Sequence, residues 1–556
     1  MFVASKTVSF DSLRKSPISR DFSHAIILGE LMEEVDVNSR ENPSGSSKIL
    51  KGSFLMMVSY LFFRVGGYIY RILMSRLLGP EAYGVFGATL PFQGVFQILS
   101  AGGMQPVIAK FVAQHNAVGE EDVARQVIIT SLKYMMISGV LFGLFMFFTA
   151  GWIATNIFHK PEATLPFQAI SLITPFSVIV GAFRGSFQGV YKMELIVASR
   201  VVEQVTTILV AVALVAVGFS AVGAVLGTGI GFIASAICAL ILFKKYIWPL
   251  FPKPIIEFSF KDELSLMKKL LIFSIPVTVT ALSEMAIYDI STEVIFYFMP
   301  NNYNGYYTNA SAMARLPLII SLSLAAVILP AASEAASLNN KNLLGMYITQ
   351  SYRYVILLVL PLCVGIAAFA TPLLSLLFGS EYGQGGTALS ILVIGMAFYT
   401  LFMISSSIMQ GIGHPRRPMV VLLVGIVINF ILNVLMVPRY GIEGAATATT
   451  IATFLIMIAV LWETFRVTKV NVPYLDFVKI GAASAVMSIP ILLLPQTYEG
   501  LLAAIIISPI VYTIIFTLIG GFTKRDIRVI RRYEKKLGPL SGAVEGVVKF
   551  IEKFVK

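Results

Sequence analysis

The sequence predicts an all-α polytopic membrane protein with about 14 transmembrane helices. They form two parallel six-helix repeats (an N-lobe and a C-lobe) around a central cavity, plus two extra C-terminal helices. Three observations predict it. Of the 556 residues, 57% are hydrophobic and 13% charged, against about 25% charged in soluble domains. Apolar runs of the roughly 20 residues that a span requires recur from Ile49 to Phe522. Short motifs also return in the same chain direction at an offset of about 221 residues.

Taken in order, residues 1–47 are polar and mixed in charge; "NSRENPSGSSK" reads as a flexible linker, and no signal-peptide pattern is present. Breaks at Gly, Pro and charge clusters then separate the spans. In the N-lobe (48–247) they fall near 50–76, 84–114, 126–154, 164–190, 194–218 and 221–245. A linker over 248–266 leads to the C-lobe (267–470), with spans near 267–299, 304–334, 341–378, 386–411, 416–437 and 441–466. The two extra spans, near 473–495 and 500–522, lie in 471–523. In the basic tail 524–556, "VEGVVKFIEKFVK" spaces apolar residues for an amphipathic surface helix.

An even span number puts both termini on one side. With that side cytoplasmic, the cytoplasmic connections carry roughly seventeen Lys/Arg, including Lys244, Lys245, Lys268, Lys269, Arg416 and Arg417. The outer connections carry roughly three: Arg76, Lys160 and Arg439. The expected location is therefore the cytoplasmic membrane, with both termini cytoplasmic. The net charge of +12 sits in loops and in the tail "KRDIRVIRRYEKKLG", a distribution suited to anionic lipid headgroups rather than to nucleic acid. Cys238 and Cys363 lie in apolar runs and His24, His115, His159 and His414 are scattered, so neither a disulfide framework nor a metal site is expected. No Walker A pattern is present, and no ATP motor is expected within this chain.

The repeat rests on three matches. "YGVFG" from Tyr83 answers to "NGYYT" from Asn304, with Gly84 against Gly305. "FQGVYKM" in the fourth span answers to "MQGIGHPRRPM" in the tenth, and "AVGAVLGTGIG" from Ala221 to "GIEGAATATTI" from Gly441. Parallel halves imply a pseudo-two-fold axis along the membrane normal with a cavity between them. The stretches "RLLGPEAYGVFG", "FRGSFQGVYKM" and "MQGIGHPRRP" followed by "INFILNVLMVPRYGIEGAATATTIA" resemble the multidrug/oligosaccharidyl-lipid/polysaccharide flippase superfamily. The last of them is similar to the polysaccharide-transporter and sporulation-protein-B branch. The resemblance covers about 48–522.

Charged residues inside spans need an explanation, since each costs roughly 2.5–3.5 kcal/mol near a bilayer centre on insertion scales. Arg64 and Arg71 share a face of the first span, with Arg64 about 21 Å from its cytoplasmic end. Arg184 lies in the fourth span and Arg315 in the eighth. A guanidinium suits phosphate through parallel hydrogen bonds, so these four are the candidates for an anionic headgroup. The resemblance points the same way, implying cavity arginines on early spans and the eighth. Structural alternatives stand beside this: Arg71 snorkelling to the surface, and Arg184 paired with Glu203 at similar depth.

"SEMAIYDISTEVIFY" in the seventh span carries Glu284, Asp289 and Glu293. Asp289 and Glu293 share a face, and Glu284 is rotated from Asp289 by about 140°. Asp289, Asn429 and Thr447 lie about 15, 12 and 9 Å from the outer end. With Glu293 and Asn433 they form a candidate ion-coupling set for Na⁺ or H⁺, placed where the resemblance also implies a cation site. An Asp289–Arg315 ion pair is the alternative. Tyr83, Tyr303, Tyr306, Tyr307 and Tyr382 near outer ends read as an interfacial belt.

These features predict a secondary transporter, not an enzyme. It would flip a polyprenyl-(pyro)phosphate-linked oligosaccharide or polysaccharide precursor by alternating access, as a monomer without a cofactor. Its partners would be the lipid-linked saccharide and membrane lipids, with anionic headgroups at the tail. A multidrug exporter of the same superfamily and a polytopic polyprenyl-linked glycosyltransferase or polymerase are the rivals; short outer connections disfavour the latter.

Overall fold

Glycine and proline set most of the helix junctions in the computed structural model of the chain, which describes residues 45–251, 259–470, 474–495, 497–523 and short pieces of the tail, with side chains from Phe63 onward. The N-terminal extension, the middle of the inter-lobe linker and most of the tail lie outside the described residues. All regular structure among those described is helical.

The N-lobe contains α1 (Gly45–Ala101), α2 (Met104–Ala117), α3 (Glu121–Trp152), α4 (Thr164–Gly189), α5 (Met193–Leu214) and α6 (Ser220–Leu242). The C-lobe contains α7 (Phe260–Phe298), α8 (Asn301–Ala314), α9 (Leu318–Ser337), α10 (Lys341–Ala368), α11 (Ala370–Phe378), α12 (Gly386–Gly411) and α13 (Arg416–Thr468), followed by α14 (Tyr474–Leu492) and α15 (Tyr498–Leu518). Among the described residues, eleven stretches are long and apolar enough to cross a membrane. Three of these are double, interrupted where the backbone leaves helical geometry at Gly79, Gly218 and Gly441. Fourteen crossings result. At the repeat offset of 221 residues Gly441 answers to Ser220, and the two share a positive-φ turn (φ 59° and 49°), with Gly218 (φ 104°) two residues before Ser220; glycine adopts positive φ without steric cost.

The second span of each half is broken in its middle. Gly102 and Gly103 (φ 53° and 62°) separate α1 from α2, and Arg315–Pro317 separate α8 from α9. Non-helical backbone at membrane depth is tolerated where protein or a cavity surrounds it. These two breaks flank the space between the lobes.

Apolar packing shows where the lobes join. At the end carrying Gly84, Lys160 and Met299, one buried cluster mixes N-lobe residues such as Phe86 and Phe167 with C-lobe residues such as Phe296 and Tyr307. At the opposite, Lys/Arg-rich end, a separate cluster around Met104, Phe183 and Phe243 takes in Leu270 from the first arm of α7, and Glu263 of that arm pairs with Lys133 at 2.9 Å. The lobes are thus welded at a sealed end, and toward the basic end the N-lobe packs against the first arm of α7. The weld is made by the repeat partners themselves. A Cβ on Gly84 would lie 1.7 Å from Asn301 O, and one on Gly305 would lie 2.3 Å from Pro80 O. Asn304 Nδ2 donates to Gly84 O at 2.7 Å.

The aromatic belt is corrected here. Tyr83, Tyr306, Tyr307 and Tyr382 are buried. Tyr382 packs edge-on against both Tyr83 of the N-lobe and Tyr306 of the C-lobe, and its hydroxyl donates to Ser75 O at 2.9 Å. These rings fill the weld instead of facing lipid. Gly84→Ala or Gly305→Ala should cost about 1–3 kcal/mol by overpacking, read as a lowered melting midpoint in detergent. Gly67→Ala, whose Cβ meets nothing within 4 Å, should not lower it.

Candidate functional site: the cavity between the lobes

Positions i, i+4 and i+7 of a helix share one face, and on the first span these are Arg64, Tyr68 and Arg71. That face lines a cavity of about 700 Å³ between the lobes. The far wall comes from α7 (Glu284, Tyr288, Asp289, Thr292), α8 (Thr308, Ser311) with Arg315 at its end, and α12 (Tyr399, Phe402, Ser406, Gln410). Arg315 follows the last residue of α8, so the mid-span break carries its guanidinium to the cavity edge. There Nη2 donates to Asp289 Oδ1 at 2.7 Å, to Ser311 Oγ at 2.9 Å and to Tyr288 O at 3.0 Å. The guanidinium also lies 4.8 Å from the Tyr288 ring centre. Arg64 and Arg71 are different: among the described residues neither has a carboxylate within ion-pair distance. Three arginines face two carboxylates, Glu284 and Asp289.

Arg184 lies elsewhere, and its expected place among the headgroup arginines is corrected. It is buried within the N-lobe, where Nη2 meets Glu203 Oε2 at 2.7 Å and Ser235 Oγ at 3.2 Å, and Nε meets Ser199 Oγ at 3.0 Å. Its Nε and Nη2 donors are taken by α5 and α6, so this arginine joins helices.

The ion-coupling set is also not assembled as expected. Ile287 and Ser291 share the face of α7 that meets α13: Asn429 Nδ2 donates to Ile287 O at 3.4 Å, and Ser291 Oγ and Thr449 Oγ1 are 2.8 Å apart. Asn433 Nδ2 bonds to Asn429 O and Oδ1, both at 2.9 Å. Asp289 lies about 200° round the helix from Ile287 and faces Arg315. Thr447 bonds back to Glu443 O. Matching depths did not fix rotation about the helix axis. Glu293 is a third case, with both carboxylate oxygens buried and, among the described residues, no hydrogen-bond donor.

Lys160, unused in the sequence reading beyond its outer-side charge, closes the sealed end. It sits in the connection between the third and fourth spans. Its Nζ donates across the lobes to Met299 O and Asn301 Oδ1, each at 2.7 Å, and lies 4.2 Å from the Phe296 ring centre. Asn301 Nδ2 donates back to Glu162 Oε1 at 2.9 Å. Other missed lining residues, Tyr68, Tyr288 and Tyr399, gave no sequence signal distinct from core aromatics; Gln410 stood inside the quoted "MQGIGHPRRP".

Two helical lobes about a cavity, with charged residues at the level of the spans, define a membrane transporter of the multidrug/oligosaccharidyl-lipid/polysaccharide flippase superfamily. The family model described as "Polysaccharide biosynthesis protein" matches residues 49–336, and the chain belongs to that family. A second model, MatE, matches residues 276–435. An uncharacterized membrane protein of Methanocaldococcus jannaschii is 25% identical over 76% of this chain and 99% of its own length. Two Bacillus subtilis proteins are similar: stage V sporulation protein B (24% identity, 74% of this chain and 82% of its own) and lipid II flippase MurJ (22%, 73% and 80%). A solved structure of lipid II flippase MurJ in an inward closed conformation shares the fold, with TM-score 0.68 and 17% identity over 84% of this chain and 98% of that one. So does an inward-facing multidrug resistance MATE transporter, with TM-score 0.62 and 19% identity over 73% and 95%.

Two measurements test these assignments. Arg184→Met leaves Glu203 buried without its partner, which should cost about 3–5 kcal/mol in thermal unfolding; Arg184→Met/Glu203→Gln should recover most of it. For Lys160, burial lowers the ammonium from its ordinary 10.5 to about 8, with Glu162 opposing the shift. The sealed state therefore holds that proton less tightly than an opened state with Lys160 hydrated. Below about pH 8 the balance is flat; between about 8 and 10.5 rising pH favours sealing. Spin-label distances between Glu81→Cys and Glu381→Cys, in a background lacking Cys238 and Cys363, should shift toward the short, sealed population over that window. Lys160→Met should show no such shift.

Proposed function

We propose that the protein is a secondary transporter that moves a polyprenyl-(pyro)phosphate-linked oligosaccharide or polysaccharide precursor to the outer leaflet of the cytoplasmic membrane. The carrying observation is the pair Arg64 and Arg71, which face the inter-lobe cavity without a carboxylate partner. A guanidinium at membrane depth is costly unless paired or hydrated, and a phosphate satisfies its fork with two charge-assisted bonds. Arg315 is held by Asp289 until an entering phosphate competes for it. The positive-inside assignment puts the basic end at the cytoplasm, so the cavity loads from inside while Lys160 and the Gly84–Gly305 weld close the outside. Rocking of the lobes then exposes the headgroup outward, and the isoprenoid tail stays in lipid. Sequence relatives named as flippases support this reading, among them lipid II flippase MurJ of Bacillus subtilis.

Coupling to H⁺ or Na⁺ belongs to the same proposal. Asp289 becomes free to take a cation when substrate claims Arg315. Glu293, buried without a donor, requires neutralisation by a proton or cation, since an unpaired buried carboxylate is unfavourable. One observation favours a second reading: Glu284 is an exposed carboxylate in the cavity, which would suit a cationic drug.

Reconstituted vesicles with fluorescent polyprenyl-phosphate sugars separate the two. Arg64→Ala and Arg71→Ala should each slow translocation roughly 10–100-fold, matching the loss of charged hydrogen bonds worth about 1.5–3 kcal/mol. Glu284→Gln should change it little. Wild-type rates in both arginine variants would overturn the phosphate role. Export of cationic dyes that Glu284→Gln abolishes, with no movement of lipid-linked sugar, would establish the exporter.

A further inference from the structure

The motif "MQGIGHPRRP" does two things. Gln410 lines the cavity, but the chain then turns at Gly413 (φ 85°) and delivers Arg416 and Arg417 to the start of α13. Because α13 folds back at Gly441, its far end returns beside them. Arg417 Nη1 meets Glu463 Oε2 at 2.5 Å, and Arg466 Nη1 lies 3.9 Å from Glu463 Oε1. The three arginines, Glu463 and the valines Val420, Val421 and Val467 enclose a groove of about 720 Å³ outside the transport cavity. Three guanidiniums against one carboxylate leave it cationic. Among the described residues Arg416 has no carboxylate partner.

What lies next to the groove identifies its occupant. Val420, Val424, Val427 and Ile431 are each at least half exposed and step up the first arm of α13 at helical spacing. On the second arm Trp462 is 60% exposed, with the Arg466 guanidinium 5.2 Å from its ring centre, and Ile458 and Leu455 follow. A free anion has no use for such a stripe. Basic residues beside an amphipathic indole at the edge of a lipid-facing apolar surface match the headgroup level of a leaflet.

We propose that this groove is a binding site for the phosphate headgroup of an anionic glycerophospholipid in the leaflet at the basic end, with its acyl chains on the α13 stripe. Arg416 and Arg466 donate to the phosphate, and Glu463 orients Arg417 and Arg466. The site is independent of the transported substrate and of the transport reading.

The test is thermal unfolding of the purified full-length protein in detergent, titrated with phosphatidylglycerol, phosphatidylcholine or inorganic phosphate. Phosphatidylglycerol should raise the melting midpoint saturably, with the other two inert at the same concentration. Arg416→Gln breaks no ion pair, so its lipid-free midpoint should match wild type while its half-saturating phosphatidylglycerol concentration rises at least 10-fold. Arg416→Gln/Arg466→Gln should shift it further. Phosphatidylcholine acting as well as phosphatidylglycerol would overturn the headgroup site, inorganic phosphate acting as well would overturn the lipid assignment, and an unchanged titration in Arg416→Gln would place the binding elsewhere.

Discussion

Backbone contact at Gly84 and Gly305 governs the shape of everything beneath it. With no side chain on either residue, the second and eighth spans meet carbonyl to glycine, and Asn304 ties them with a hydrogen bond. Once two bundles are joined so closely at one end, their helices diverge toward the other. That divergence creates the cavity, and the mid-span breaks at Gly102–Gly103 and Arg315–Pro317 fall beside it. Both halves contribute equivalent glycines because both descend from one repeat unit.

The three carboxylates in the second arm of α7, beyond Pro276, have three different environments. Glu284 is solvated in the cavity, Asp289 is neutralised by Arg315, and Glu293 is enclosed without a donor. Their spacing along one helix explains the difference: the five-residue step turns Asp289 about 140° away from Glu284, and the four-residue step keeps Glu293 on nearly the same face as Asp289 but about 6 Å further along the helix toward the weld. The pairing of Asp289 with Arg315 keeps the arginine extended at the break in its span. Among the described residues it leaves Arg64 and Arg71 as the cavity guanidiniums without a carboxylate partner, so the positive charge of the cavity lies on the N-lobe side.

Which parts of this were legible in the sequence depends on what the sequence encodes. The span count and the parallel repeat were legible because apolar length and repeated glycine turns are linear signals. Arg184 with Glu203, and Asp289 with Arg315, could be foreseen as pairs since depth along two neighbouring spans is also linear. Rotation is not. Thr449 rather than Thr447 meets Ser291, Asn429 meets a backbone carbonyl of α7 rather than Asp289, and Asn433 bonds to Asn429 on its own helix. The tyrosines failed for another reason: an amphipathic ring near a helix end has the same local sequence whether it faces headgroups or plugs an inter-lobe seam. Lys160 looked like one loop charge among several, and only the packing of Met299 and Asn301 around it shows its place.

α7 links these observations physically. Leu270 belongs to the N-lobe cluster of the basic end, and the same helix places Ile287 and Ser291 against α13, Asp289 against Arg315 and Phe296 in the weld. Pro276 lies between the part buried with the N-lobe and the part buried with the C-lobe, and removes one backbone hydrogen bond there. One helix thus carries Asp289 beside the cavity, against Arg315, and Phe296 in the seal, beneath Lys160, so the cavity wall and the seal share an element that packs against both lobes.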